Sequence, residues 1–122
     1  AVVAISSNDI DDYPADSPEG MKAQCVRADW HFPYVLDADQ SVAKAYTAAC
    51  TPDIFLFDAD RQLVYRGQFD ESRPGSGDPV TGADLTQAVE ELLDQGEVTM
   101  DQVPSQGCNI KWTKGDEPDY FG

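Results

Sequence analysis

Large apolar residues occur along this chain in two patterns, unbroken runs and runs spaced three and four positions apart. The longest unbroken run stands behind a polar turn: Cys50-Thr51-Pro52-Asp53 feeds Ile54-Phe55-Leu56-Phe57, and Asp58 closes it. Four consecutive large residues rich in β formers predict a strand buried on both faces. Ala1 to Ile5 is a second such run, ended by Ser6-Ser7-Asn8-Asp9, and predicts a buried parallel strand. Because that pattern begins at the first residue, without Met or lead-in, the chain reads as a fragment. Phe32-Pro33-Tyr34-Val35-Leu36 predicts a short strand ending at Asp37. Leu63-Val64-Tyr65-Arg66-Gly67-Gln68 alternates, and the turn from Asp58 to Gln62 is too short for a crossover, so these strands form an antiparallel hairpin.

Spaced patterns predict three helices. The first starts with Ser17 as N-cap, Pro18 at the first helical position and Glu19 favourable to the dipole. Met21, Cys25 and Ala28 form its inner face, which makes Cys25 a small core residue. Asp39 caps a second, short helix with Val42, Ala43 and Tyr46 facing inward. After a Pro/Gly-rich loop over 69–81, Thr81 and Asp84 resemble a capping box. Leu85, Ala88, Val89, Leu92 and Leu93 then match the helical template without a miss, and Gly96 is a fitting stop. Residues 1–96 make one domain in this reading. Residues 97–122 make an irregular tail whose one apolar knot is Gly107-Cys108-Asn109-Ile110-Lys111-Trp112 and whose end is held by Tyr120 and Phe121.

Charge narrows the function classes. With 23 acidic against 8 basic residues the formal charge is −15, so no nucleic-acid or anionic-membrane partner is expected. No run approaches the roughly 18 apolar residues of a membrane span. Three cysteines in an acidic chain with no visible signal peptide suit a reducing cytoplasm rather than a disulfide scaffold. The lone His31 and the spread of Cys25, Cys50 and Cys108 provide no metal site, and no cofactor is implied. The strand entrance at Pro52 is the place with chemistry. Proline has no N–H for the ladder and must sit at the head of the strand. A cis Thr51-Pro52 bond would turn Cys50 and Thr51 outward beside the sheet edge, whereas a trans bond makes an ordinary loop-to-strand entry.

Together Ala1–Asp9, Ala49–Asp58, Leu63–Gln68 and the terminal Gly107–Trp112 resemble the thioredoxin-like superfamily, in particular its redoxin or peroxiredoxin-like branch related to alkyl hydroperoxide reductase. The resemblance implies an α/β three-layer sandwich and a thiol-dependent oxidoreductase acting on protein thiols, disulfides or peroxide. It matches Pro52 to the cis-proline facing a reactive dithiol, and Thr51 to the residue whose backbone pairs with a bound thiol substrate. It makes Cys50 an extra or resolving thiol of the same catalytic loop. The Cys-x-x-Cys that the resemblance also implies has no counterpart in this chain, which therefore carries the partner half of such a site. Such a dithiol works because a helix N-terminus lowers one thiol's pKa while the second thiol resolves the mixed disulfide.

Two classes stay open, the oxidoreductase and a redox-inactive thioredoxin-like binding module. Cys50 and Cys108 are either a redox pair or two unrelated thiols. In the fold that the resemblance implies, a strand outside this chain lies between those matching Ala1–Ser6 and Asp53–Asp58. Three outcomes are then expected: the flanking strands pair directly, a second copy supplies the strand in a homodimer, or the fragment is unstable alone. The hairpin over Asp53–Gln68 and the Leu85–Leu93 helix should persist best, because their contacts are local in sequence.

Overall fold

The computed structural model describes residues 1–122 as a mixed α/β chain with three two-stranded sheets. Its contacts divide into two compact units, Ala1–Ala49 with Asn109–Gly122, and Cys50–Cys108. No helix is long and apolar enough to cross a membrane.

In the first unit β1 (Ala4–Ser6) and β2 (Tyr34–Leu36) pair in parallel, Ala4 opposite Tyr34 and Ser6 opposite Leu36. The crossover between them is α1 (Pro18–Ala28), preceded by a single 3-10 turn at Pro14–Asp16. Ser17 occupies the N-cap, as the sequence predicts, but its side chain makes no capping bond; its carbonyl accepts from Met21 N–H instead. Met21 is buried and Cys25 half-buried, whereas Ala28 is exposed, so the inner face of α1 is narrower than the spacing predicts. Asp29 ends the helix in the left-handed region at φ 53°, and Trp30 turns back to stack on Phe32 and meet Tyr34 edge-on. The opening run is corrected in the same direction. Only Ala4–Ser6 is strand, and Val2, Val3 and Ile5 are 60%, 57% and 42% exposed.

The second helix, α2 (Ser41–Tyr46), is capped differently from the sequence expectation. Asp39 accepts from Ser41, but the buried Asp37 does more: its carboxylate takes the N–H groups of Val42 and Ala43 and the Ser7 hydroxyl. A carboxylate on the first free N–H groups satisfies orphan donors and favours the dipole. Of the predicted inner face only Ala43 is buried; Val42 and Tyr46 are 37% and 43% exposed. Beside it lies Gln40, 1% exposed and left-handed at φ 60°. Its Nε2 donates to the carbonyls of Ser7 at 2.7 Å and Lys111 at 2.9 Å, and its Oε1 accepts from Thr113 N–H at 3.0 Å. This one side chain thus ties residues 111 and 113 to residue 7, beside the bonds of Lys111 N–H to Asn8 Oδ1 and of Asp9 N–H to the Lys111 carbonyl. Ile110 and Trp112 are buried, and Tyr120 meets Trp112 edge-on while its hydroxyl donates to the carbonyl of Ala48.

The second unit holds β4 (Ile54–Phe57) and β5 (Leu63–Gly67) as the expected antiparallel hairpin, with a bulge opposite Leu56–Phe57. β4 is not buried on both faces as its composition predicts: its first three residues are half-buried and Phe57 is 39% exposed. The reason is topological, since a two-stranded ribbon does not enclose its strands as a wide sheet does. β1 and β4 belong to different sheets. The outer side of β5 is filled by its own chain. Gln102 donates to Val64 O and accepts from Arg66 N, so its amide acts as one rung of a missing strand.

Helix α3 (Ala83–Gln95) follows the predicted pattern and ends at Gly96, left-handed at φ 77°. Ala88 is fully buried, but Leu93, assigned to the inner face by spacing, is 78% exposed. The predicted capping box does not form. Asp84 accepts from Gln68 Nε2, while the backbone N–H groups of Thr81 and Gly82 go to Asp70. Asp70 also takes the N–H and hydroxyl of Ser72, and these bonds, the Ser72 hydroxyl first, hold its carboxyl at about 2 against an ordinary 3.8. A folded pKa below the unfolded one adds stability that is complete above the ordinary value. As pH falls from about 4 towards 2 that stability is expected to disappear, and acid unfolding followed by circular dichroism should show it. Asp70→Asn should reduce the pH dependence in that window, leaving the smaller part owed to Asp39 and Glu91, whose carboxyls are also held low.

Candidate functional site

Two short strands meet at the head of β4. β3 (Cys50–Thr51) pairs with β6 (Cys108–Asn109), the strand that opens at Cys108 within the same unit as β3. The Thr51–Pro52 bond between β3 and β4 is cis, which settles the choice between cis and trans left open at this turn. Thr51 and Pro52 are exposed, and Cys50 is half-buried. Gly107 approaches this turn so closely that a methyl on its Cα would collide with the Thr51 carbonyl oxygen. The strand entrance and the Gly107-Cys108 knot, far apart in sequence, are therefore one place in the fold.

The thiol in that place is not activated. Its Sγ lies 3.5 Å from the Pro52 carbonyl, a weak S–H donor contact. Burial, and then the negative charge of Asp53, raise the Cys50 thiol above the ordinary cysteine value, with Arg66 opposing them. Arg66 Nη2 holds Asp53 at 3.0 Å, and its guanidinium lies 4.9 Å from the centre of the Phe55 ring. Asp53 keeps only 7% of its side chain exposed, so Arg66 compensates an otherwise costly buried charge. Neither residue stands out in the sequence as functional; an acid just past the strand-entry proline and an Arg on the hairpin partner were the available signal.

Cys108 is exposed, and Cys25, on α1 in the other unit, is half-buried. The site residues that the sequence points to, Cys50, Thr51, Pro52 and Cys108, come together. His31 bonds only Asp29, at 2.9 Å, with both side chains largely in solvent. No three His, Cys, Asp or Glu side chains converge. Because only the thiolate reacts, Cys108 should be alkylated first at pH 7, with Cys50 slower than a free cysteine. Time-resolved mass spectrometry with iodoacetamide measures that order.

No family model and no curated protein matches the chain. It is similar to the crystal structure of a hypothetical protein from Sinorhizobium meliloti 1021, at 57% identity and a TM-score of 0.91 over 94% of this chain and 63% of that one. It is also similar to an uncharacterized conserved protein from Geobacillus kaustophilus, at 53% identity and a TM-score of 0.88 over 92% of this chain and 59% of that one. The chain therefore spans less than two thirds of the length of either.

Proposed function

We propose that these residues carry the substrate-docking edge of a thioredoxin-like, thiol-dependent oxidoreductase of the redoxin or peroxiredoxin-like kind. In this reading the parallel β1–α1–β2 unit and the β4–β5–α3 unit are elements of a thioredoxin-like sandwich, and the attacking thiol lies outside the 122 residues. The observation that carries it is the short exposed strand ahead of Pro52, whose backbone already pairs with an extended segment bearing a thiol, Cys108. A raised thiol suits Cys50 to shaping that edge rather than to attack, since a nucleophilic cysteine needs a lowered pKa. In thiol–disulfide exchange the outside thiolate would attack one sulfur of a substrate disulfide, expel the other as thiolate, and form a mixed disulfide along this edge. Peroxide reduction is the other member of the same class. Three free thiols fit a reducing compartment such as the cytoplasm.

The same raised thiol, and the absence of a poised dithiol, favour the second reading of a redox-inactive docking module. Turnover separates the two. A polypeptide extended to the length of the solved relatives is assayed for insulin-disulfide and hydroperoxide reduction with dithiothreitol as reductant, beside the 122-residue chain. Turnover by the extended form, with the chain alone no better than free cysteine, supports the oxidoreductase; no turnover by either leaves the docking module.

A further inference from the structure

Gly107 and Cys108 lie against the very backbone that the proposed function assigns to a substrate, and the inference rests on that reading of Cys50–Thr51. The segment leading up to them is firmly held. Gln68 N–H donates to Val103 O at 2.8 Å, Ser105 Oγ donates to Gly67 O at 2.6 Å, and Arg73 Nε donates to Gln106 Oε1 at 3.2 Å. Beyond Gln106 the hold changes character. Gly107 and Cys108 are exposed, and β6 itself has only two residues before the chain is anchored again at the buried Ile110, whose N–H donates to the Ala49 carbonyl at 3.2 Å. Between those anchors a pairing this short adds little hold of its own.

The contact at Gly107 is also selective. A methyl carbon built there would have the Thr51 carbonyl carbon at 2.9 Å and the Pro52 nitrogen at 3.5 Å, besides its collision with the carbonyl oxygen. These are backbone atoms, so neither side can move away as a flexible side chain would. A segment that follows the path of Gly107 along this edge must place glycine against the Thr51 carbonyl. In the resident segment the residue that follows is a cysteine.

We propose that the Cys50–Thr51 edge docks an extended polypeptide segment of Gly-Cys pattern, and that the chain's own Gly107–Cys108 is its resident occupant, displaced when a partner segment of that pattern binds. Main-chain hydrogen bonds to an edge supply affinity for extended peptides, and the fit of individual side chains supplies the choice among them. Here the choice is the absence of a side chain before the thiol. The resident strand keeps the edge covered in the meantime, as an exposed edge invites unwanted pairing.

The test uses a peptide of the sequence Ser105–Trp112 with serine in place of Cys108, so that no disulfide can form. It is titrated calorimetrically into the wild-type chain, Gly107→Ala and Cys108→Pro, the last removing an N–H from the ribbon. A tethered occupant competes at an effective concentration in the millimolar range, so both opened variants should bind the peptide at least about tenfold more tightly than wild type. The Cys50 and Thr51 amides should lose hydrogen-exchange protection in both variants and regain it with peptide, while Ile54–Phe57 stay protected throughout. The same peptide with alanine for Gly107 should not bind. Unchanged protection of Cys50–Thr51 in both variants, equal binding to wild type, or equal binding of the alanine peptide would each overturn the proposal. Binding of the serine peptide needs no thiol chemistry, so its failure is separate from a failure of turnover.

Discussion

Gln40→Leu is expected to lower the unfolding free energy by about 2–4 kcal/mol, because it orphans two backbone groups at once and weakens the bonding of a third. The carbonyl of Ser7 loses its donor and the N–H of Thr113 its acceptor, at a residue only 1% exposed, while the Lys111 carbonyl keeps the Asp9 N–H at 2.8 Å. Each buried polar group left unsatisfied costs roughly 1–3 kcal/mol, and leucine fills nearly the same volume, so little of the loss is a cavity effect. Against a net stability of about 5–15 kcal/mol that is a large fraction. Gln40→Glu keeps an acceptor for Thr113 but sets a carboxylate against two carbonyls, and should be at least as harmful. Urea unfolding with an unchanged slope checks both variants. A loss under about 1 kcal/mol for Gln40→Leu would mean that the C-terminal residues are held by something else.

Tyr65→Ala should cost about 3–5 kcal/mol, the usual range for removing a buried aromatic ring. Tyr65 is 1% exposed on β5, opposite Leu56 on β4. Its hydroxyl donates to the carbonyl of Gln68 at 2.5 Å, where the strand gives way to the long loop. Burial, and then the charge of Asp84, hold the phenol above its ordinary value, so it remains a donor throughout the neutral range. Tyr65→Phe removes the hydroxyl alone and should cost about 1 kcal/mol. The gap between the two variants, read from the same denaturation curves, is the contribution of the ring.

What could be read in the sequence was local. The hairpin at Ile54–Gly67 and the helix at Ala83–Gln95 depend on neighbouring residues, and their patterns located them to within two residues. Burial was less legible, because a run such as Ile54–Phe57 specifies a strand but not how many strands flank it. Leu93 shows the same limit on a helix: the spacing places it on the apolar face, yet no element covers the last turn. The residues that fasten the chain were illegible for another reason. Gln40 reaches residues 111 and 113, and Asp70 reaches 81 and 82, so their partners are separated from them by long stretches of chain. A glutamine or an aspartate in a polar turn looks the same whether it holds three backbone groups or none. Only Asp70-Glu71-Ser72 carried a local hint, as an Asp two residues before Ser favours such a turn.

The site was legible to the same extent. Pro52 at the strand head drew attention to Cys50 and Thr51, and Gly107-Cys108 stood out as a knot in an irregular tail. Their meeting in one two-stranded ribbon depends on a pairing across the whole second unit, which no local pattern encodes.

The central claim is that Cys50–Thr51 forms a docking edge while the attacking thiol lies elsewhere. Its most direct test is thiol-dependent turnover of the extended polypeptide with and without Cys50→Ser. The account predicts that the serine variant still reduces insulin disulfide or hydroperoxide, with its kcat within about threefold of wild type, since the Cys50 thiol forms no covalent bond to substrate and serine keeps the backbone of the edge. Turnover that Cys50→Ser abolishes would make Cys50 the nucleophile and contradict the account.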